Sequence, residues 1–176
     1  MKEGEEMGFY ETPEYEVVLK DSPFEIRRYS DFLMVEYENE EDPFSQNGFG
    51  TLFRYISNDN EERQRISMTV PVIEEMTEEK RKMAFVVPRK HWENTPKPNN
   101  PHLGIKSFDS GIFAVIRYSG LSNRQKEQEN WERLVEWADQ KGYRRVSNAM
   151  LAFYNSPFAL PMVRRNEIMV RVEAYG

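Results

Sequence analysis

The chain has 176 residues, and its 30 acidic against 24 basic side chains give a net charge of −6, which disfavours nucleic acid as a main partner. It has no cysteine and two histidines, His91 and His102, so disulfides, thiolate metal sites, iron–sulfur clusters, cysteine nucleophiles and multi-histidine metal sites are excluded. Eleven Phe, nine Tyr, three Trp and nine Met remain as its distinctive stock, which suits a pocket for something flat and apolar.

No apolar run reaches the roughly 18 residues that a membrane span needs. The acidic start "MKEGEEMGFYETPEY" does not read as a leader, so one domain covering 1–176, working in the cytoplasm, is the expectation. Strand signals come first, in "YEVVLK" (15–20), "FEIRRY" (24–29) and "FLMVEYE" (32–38), separated by Asp21-Ser22-Pro23 and Ser30-Asp31. On "FEIRRY", alternation puts Phe24, Ile26 and Arg28 on one face, an odd place for an arginine unless the strand ends there. Asp42-Pro43 reads as a helix start, and Phe49, Leu52, Phe53 and Ile56 follow at one-face helical spacing. Gly48 and Gly50 weaken that helix but allow another surface to approach it closely. Next come "ISMTVPV" (66–72), an acidic turn and "KMAFVVP" (82–88), and then "PRKHWENTPKPNNPH" (88–102), a four-proline loop.

After the loop the pattern returns. "IKSFDSGIFAVIRYSG" (105–120) lies over "FEIRRYSDFLMVEYEN" (24–39) without a gap, placing Phe113 on Phe32 and Tyr118 on Tyr37. A second helix follows, with a capping box at Ser122 and Gln125, an apolar face of Trp131, Leu134, Val135 and Ala138, and a stop at Gly142. "AFYNSPF" (152–158) then mirrors "ISMTVPV", with Pro157 over Pro71, and "NEIMVRV" (166–172) mirrors "KMAFVVP". Two halves, about 15–88 and 103–174, each read strand, strand, helix, strand, strand. The expectation is an α+β fold of one antiparallel sheet or partly closed barrel with two helices, and a cleft between the halves for a ligand.

These residues also carry a resemblance. "ETPEYEVV" (11–18), "FEIRRY", "ISMTVPV", the Pro-rich loop, "FYNSP" (153–157) and above all "RRNEI" (164–168) resemble the SOUL haem-binding protein family, from about Glu11 to Val172. The resemblance implies a duplicated β-α-β-β unit forming a distorted antiparallel β-barrel with two flanking helices, a fold shared with GyrI-like bacterial effector-binding domains. It implies non-covalent binding of haem or another tetrapyrrole, in a carrier, buffer or sensor role. The macrocycle is expected in an apolar groove between the first helix and the loop before "RRNEI".

Carried over position by position, the groove residues are Phe49, Phe53 and Arg54 on the first helix, with Phe158, Leu160 and Met162 on the loop. Phe49 and Phe53 read either as groove wall or as ordinary core. Arg54 aligns with a propionate-contacting position, or is a solvated arginine. Gln46 stands where a relative has a second arginine. The apolar loop is a lid over the groove or is packed on its own barrel. Arg164 and Arg165 could steer propionates, with an internal Arg–Glu pair to Glu167 the preferred reading. On the last strand, Ile168, Val170 and Val172 take the core face and leave Glu167 opposite, where it could meet a cationic ligand as in effector-binding relatives. His91 and His102 read as surface residues, and no metal site is expected. A haem-ligating member of the family has a histidine directly after "EIR", where this chain has Arg28, which cannot ligate iron. The alternative to tetrapyrrole binding is a domain that binds or detoxifies amphipathic small molecules, cations included. No nucleophile–base pair or phosphate loop points to an enzyme.

Overall fold

Residues 10–77, 79–155 and 161–176 are described by the computed structural model. Among them are ten strands and two α-helices, which form two compact units. The strands are β1 (Tyr15–Asp21), β2 (Phe24–Tyr29), β3 (Phe32–Tyr37), β4 (Val72–Met76), β5 (Arg81–Val86), β6 (Leu103–Phe108), β7 (Gly111–Tyr118), β8 (Tyr143–Arg145), β9 (Met150–Phe153) and β10 (Asn166–Ala174). The helices are α1 (Gly48–Ser57) and α2 (Arg124–Gln140).

The first unit takes the chain up to Glu14 and Asp31–Asp109. Its antiparallel sheet runs β4-β5-β3-β6, and α1 packs on it. Leu52, Tyr55 and Ile56 of α1 meet Val35, Tyr37, Phe85, Val87 and Leu103 in one apolar cluster. The second unit takes Tyr15–Ser30 and Ser110–Gly176. Its sheet runs β1-β2-β7-β10-β9, with β8 on the far half of β10, and α2 packs against it. Ile26, Phe113, Ile116, Leu134, Leu151, Ile168 and Val170 are fully buried there. Each ladder is an open antiparallel path rather than a closed cylinder.

The duplication is visible in the ladders. In the first unit Phe32 lies opposite Phe108 and Leu33 opposite Ser107. In the second, Phe113 lies opposite Arg27 and Ala114 opposite Ile26, so every partner is displaced by the same 81 positions that align 24–39 with 105–120. The unexpected element is membership. β2 and β3 are joined by only Ser30-Asp31, yet β2 pairs with β7 and β3 with β6, so each unit contains the first strand of the other sequence half.

Several local expectations are corrected. Asp42 does not cap α1; its carboxylate accepts from the Gln46 and Asn47 amides and caps the preceding turn, and the helix starts at Gly48. Gly48 is a tight position: a Cβ there would lie 3.2 Å from Ser45 Cβ and from Tyr37 Cδ1, so those neighbours would have to give by a few tenths of an ångström. α2 is capped by Asn123, whose Oδ1 accepts from Lys126 N, rather than by Ser122. Its buried face is Leu134, Trp137 and Ala138, with Trp131 only half-buried. β4 begins just after Pro71, and Pro157, its expected counterpart, lies outside the described residues.

Candidate ligand-binding site

Ten residues of α1 give three turns, so Phe49, Phe53 and Ser57 stack along one line at i, i+4, i+8. The core takes the neighbouring stripe instead, burying Thr51, Leu52, Tyr55 and Ile56. Phe49 and Phe53 therefore sit 41% and 50% exposed, with rings stacked at 6.1 Å and Phe49 edge-on to Phe85 at 5.4 Å. Two adjacent phenylalanines half in water are an apolar surface without a cover among the described residues, and such patches mark binding surfaces.

Beside this ridge runs an open groove of about 630 Å³, lined by Phe53, Ile56, Ser57, Tyr10, Arg65, Ile66 and Met68, among others. On the other side of Ser57 is a polar hollow of about 480 Å³, lined by Arg54, Asn58, Asp59, Arg63 and Asn99. The larger volume falls inside the range of about 300–1,000 Å³ typical of small-molecule sites. Arg54 is exposed and donates to Thr51 Oγ1 at 3.2 Å.

Of the expected groove residues, Phe49, Phe53 and Arg54 are thus brought together on α1. Met162 belongs to the second unit, in a 3-10 turn (Pro161–Val163), and is 79% exposed. Phe158 and Leu160 lie outside the described residues. Gln46 is exposed in the turn before α1.

The "RRNEI" segment builds a different structure, a buried charge network in the second unit. Glu167 and Arg27 are both fully buried, and Arg27 Nη1 and Nη2 donate to the two Glu167 oxygens at 2.7 Å each. Arg27 Nε donates to Glu25 at 2.6 Å, and its Nη1 also reaches the Tyr29 hydroxyl at 2.9 Å. The guanidinium lies 4.3 Å from the centre of the Tyr15 ring, while that of Arg165 lies 3.9 Å from the Tyr154 ring. Arg165 Nε donates to Glu167 at 3.1 Å, and Arg117 approaches the same carboxylate at 3.4 Å. Burial alone drives the Glu167 carboxyl up, but Arg27, Arg165 and Arg117 outweigh it and hold the group down at about 2. Burial raises the phenols of Tyr15, Tyr29 and Tyr154, so all three stay neutral.

Glu167 is therefore an ion-pair anchor, the preferred reading of the motif, and Ile168 and Val170 take the core as expected. Arg164 is half-buried just before β10. Arg28, by contrast, points to solvent and pairs with Glu16 at 2.8 Å, both side chains being more than half exposed. The residue that the sequence reading passed over is Arg27, on the opposite face of the same strand. Its signal was an acid, an arginine and a tyrosine (Glu25, Arg27, Tyr29) at period-two spacing, a charge that a central strand can bury only against a partner such as Glu167. His91 is a second correction: it is buried, with Nε2 lacking a hydrogen-bond partner, and burial followed by Lys90 lowers its pKa. His102 is exposed. Among the described residues no cluster of His, Cys, Asp and Glu could hold a metal ion, and no helix is long and apolar enough to cross a membrane.

The model of the family described as SOUL heme-binding protein matches residues 10–171 of this chain. The chain belongs to the SOUL haem-binding protein family. It is similar to heme-binding protein 2 of Mus musculus, with 27% identity covering 93% of this chain and 84% of that protein. Solved structures share the fold at low identity. The C-terminal domain of EcmrR aligns with a TM-score of 0.62 and 10% identity over 92% of this chain and 99% of that one. EcmrR in its complex with DNA aligns at 0.65 and 10% identity over 86% of this chain, which spans only 57% of the EcmrR chain. At this identity the likeness is one of fold alone.

Proposed function

We propose that this SOUL-family chain binds haem or a related tetrapyrrole reversibly, without chemistry of its own, in the groove beside α1 and against its exposed phenylalanines, as a cytoplasmic carrier, buffer or sensor. One observation carries the reading: Phe49 and Phe53, which helical spacing would bury, are instead a stacked, half-exposed pair, and Phe53 lines a groove of ligand size. A flat macrocycle can cover that pair, gaining about 25 cal/mol per Å² of apolar surface removed from water. Arg54 on the same helix suits an anionic propionate. The family's histidine position is Arg28, exposed and engaged by Glu16, so a histidine-ligated iron is not expected there. Tyr10 and Met68 line the groove and are the residue types there that can ligate haem iron.

Titration with hemin and with protoporphyrin, followed at the Soret band, tests the reading. Binding at a Kd of about 10 μM or tighter is expected, and saturable binding by neither would sink it. A Phe49→Ala, Phe53→Ala double variant should weaken both ligands by about tenfold or more, the scale of a lost aromatic anchor.

The effector-binding alternative is consistent with the shared fold, but Glu167 is a poor place for a cationic ligand, because it already faces three guanidiniums. A thermal-shift screen with cationic dyes separates the two readings. Stabilisation of the wild type that is lost in Glu167→Gln would favour the alternative.

A further inference from the structure

We propose that Ser147 is a phosphorylation site for a basophilic protein kinase, an enzyme class whose acidic substrate cleft takes a pair of arginines two and three residues before the serine. The site belongs to the second unit and is independent of the groove reading.

Two serines of the chain follow such a pair, Ser30 in "RRYS" (27–30) and Ser147 in "RRVS" (144–147). The residues alone do not choose between them, but the fold does. Ser30 is itself exposed, yet Arg27 before it is fully buried, with both Nη atoms on Glu167 and Nε on Glu25. Its strand β2 is bonded on both sides, to β1 and to β7. A kinase could read Arg27 only after drawing β2 out of the sheet, which would leave the buried Glu167 carboxylate short of its main partner. Ser30 therefore carries the motif without presenting it.

At Ser147 the arginines are presented. Arg144, Arg145 and Val146 are all exposed. Arg144 pairs with Glu173 at the surface, and Arg145 rests over the Trp131 ring at 5.5 Å, contacts weak enough for a carboxylate-lined cleft to replace. The strand that carries them, β8, has three residues and pairs with β10 alone. A short strand held on one side opens locally at small cost. Ser147 lies in the bend that follows, half-buried, where its Oγ donates to the Asn148 carbonyl at 2.9 Å and accepts from the Arg171 amide at 3.0 Å. Releasing β8 frees that hydroxyl and extends it behind both arginines, in the order that the cleft reads.

In the transfer, the Ser147 oxygen bonds to the γ-phosphorus of magnesium-bound ATP and the bond from that phosphorus to the bridging oxygen breaks. ADP leaves, and the hydroxyl proton passes to the catalytic aspartate of the kinase. The product adds a charge of about −1.5 to −2 and strong acceptor oxygens. It does so beside the Arg171 amide, which already donates there, and close in sequence to Arg144 and Arg145, so the folded unit can hold it.

The test incubates the native full chain with magnesium, ATP and the catalytic subunit of cyclic-AMP-dependent protein kinase as the probe enzyme. Mass spectrometry of proteolytic peptides then locates the phosphate, and a synthetic peptide of residues 141–151 runs alongside. The expected result is phosphate on Ser147 in both chain and peptide, with Ser30 of the native chain below about a tenth of that level. Ser147→Ala should abolish this incorporation. The double variant Arg144→Gln, Arg145→Gln keeps the serine and should lower kcat/KM for phosphorylation by about tenfold or more. Incorporation that survives Ser147→Ala, or phosphate on native Ser30 at a level comparable to Ser147, would overturn the proposal. So would a native chain left unmodified while the peptide is phosphorylated, a peptide that the kinase ignores, or a double variant phosphorylated as well as wild type.

Discussion

Replacing Glu167 with glutamine removes one charge from the centre of the second unit while keeping the side chain's size. Wild type holds the carboxyl at about 2 against 4.5 for the unperturbed group. At about 1.36 kcal/mol per pKa unit, that difference makes the ionised form worth roughly 3 kcal/mol to folding. Breaking a buried ion pair from one side costs about 3–5 kcal/mol by comparison with measured cases, because the partner charge stays buried. Here Arg27 keeps only Glu25 as a charge partner, so the expected loss is about 3 kcal/mol, a large fraction of the 5–15 kcal/mol that holds a typical domain.

Urea unfolding of both proteins across a pH series reads this directly. The folded carboxyl lies below its unfolded value, so its stabilisation is complete above about pH 5 and is lost as pH falls from there towards about 2. The gap between wild type and Glu167→Gln should therefore be full at pH 7, unchanged at pH 6, and should close steadily below pH 4.5. Other carboxylates titrate in the same window, but they are common to both proteins and cancel in the difference. A variant within about 0.5 kcal/mol of wild type at pH 7, the range of ordinary surface substitutions, would refute the ion-pair reasoning. So would a gap that stays constant down to pH 2.5.

Phe49→Ala with Phe53→Ala should lower stability by no more than about 1–2 kcal/mol, since both rings are already half in water, so that a loss of porphyrin affinity in folded protein reports contact rather than unfolding. Arg28→Ala should change stability by less than about 1 kcal/mol, as expected of an exposed pair with Glu16, and should leave the Soret spectrum of bound hemin unmoved; a shifted band would restore Arg28 to the site. Gly48→Ala and Gly50→Ala should change the urea midpoint in opposite directions. At Gly48 a Cβ meets Ser45 and Tyr37 at 3.2 Å and costs about 1–3 kcal/mol, whereas at Gly50 it meets only Arg54 Nη1 at 3.6 Å and the better helix former gains up to about 1 kcal/mol.

What the sequence showed and what it hid both follow from periodicity. The 81-residue repeat was legible because strands repeat their apolar pattern at fixed spacing, and the ladders keep that offset residue for residue. Strand partnership was not legible: the two residues between β2 and β3 read as a turn, and nothing local distinguishes a hairpin from two strands that each pair elsewhere. Arg27 was hidden because a period of two offers two faces, and Phe24 and Ile26 draw attention to the face that ends in the exposed Arg28. The helix failed differently. Phe49, Leu52, Phe53 and Ile56 form an apolar stripe wider than the sheet beneath it can cover, and the core chose Leu52, Tyr55 and Ile56, leaving the two phenylalanines outside. A pattern that predicts burial and a structure that withholds it disagree most informatively at candidate sites, and here Phe53 lines the groove while Phe49 stacks on it.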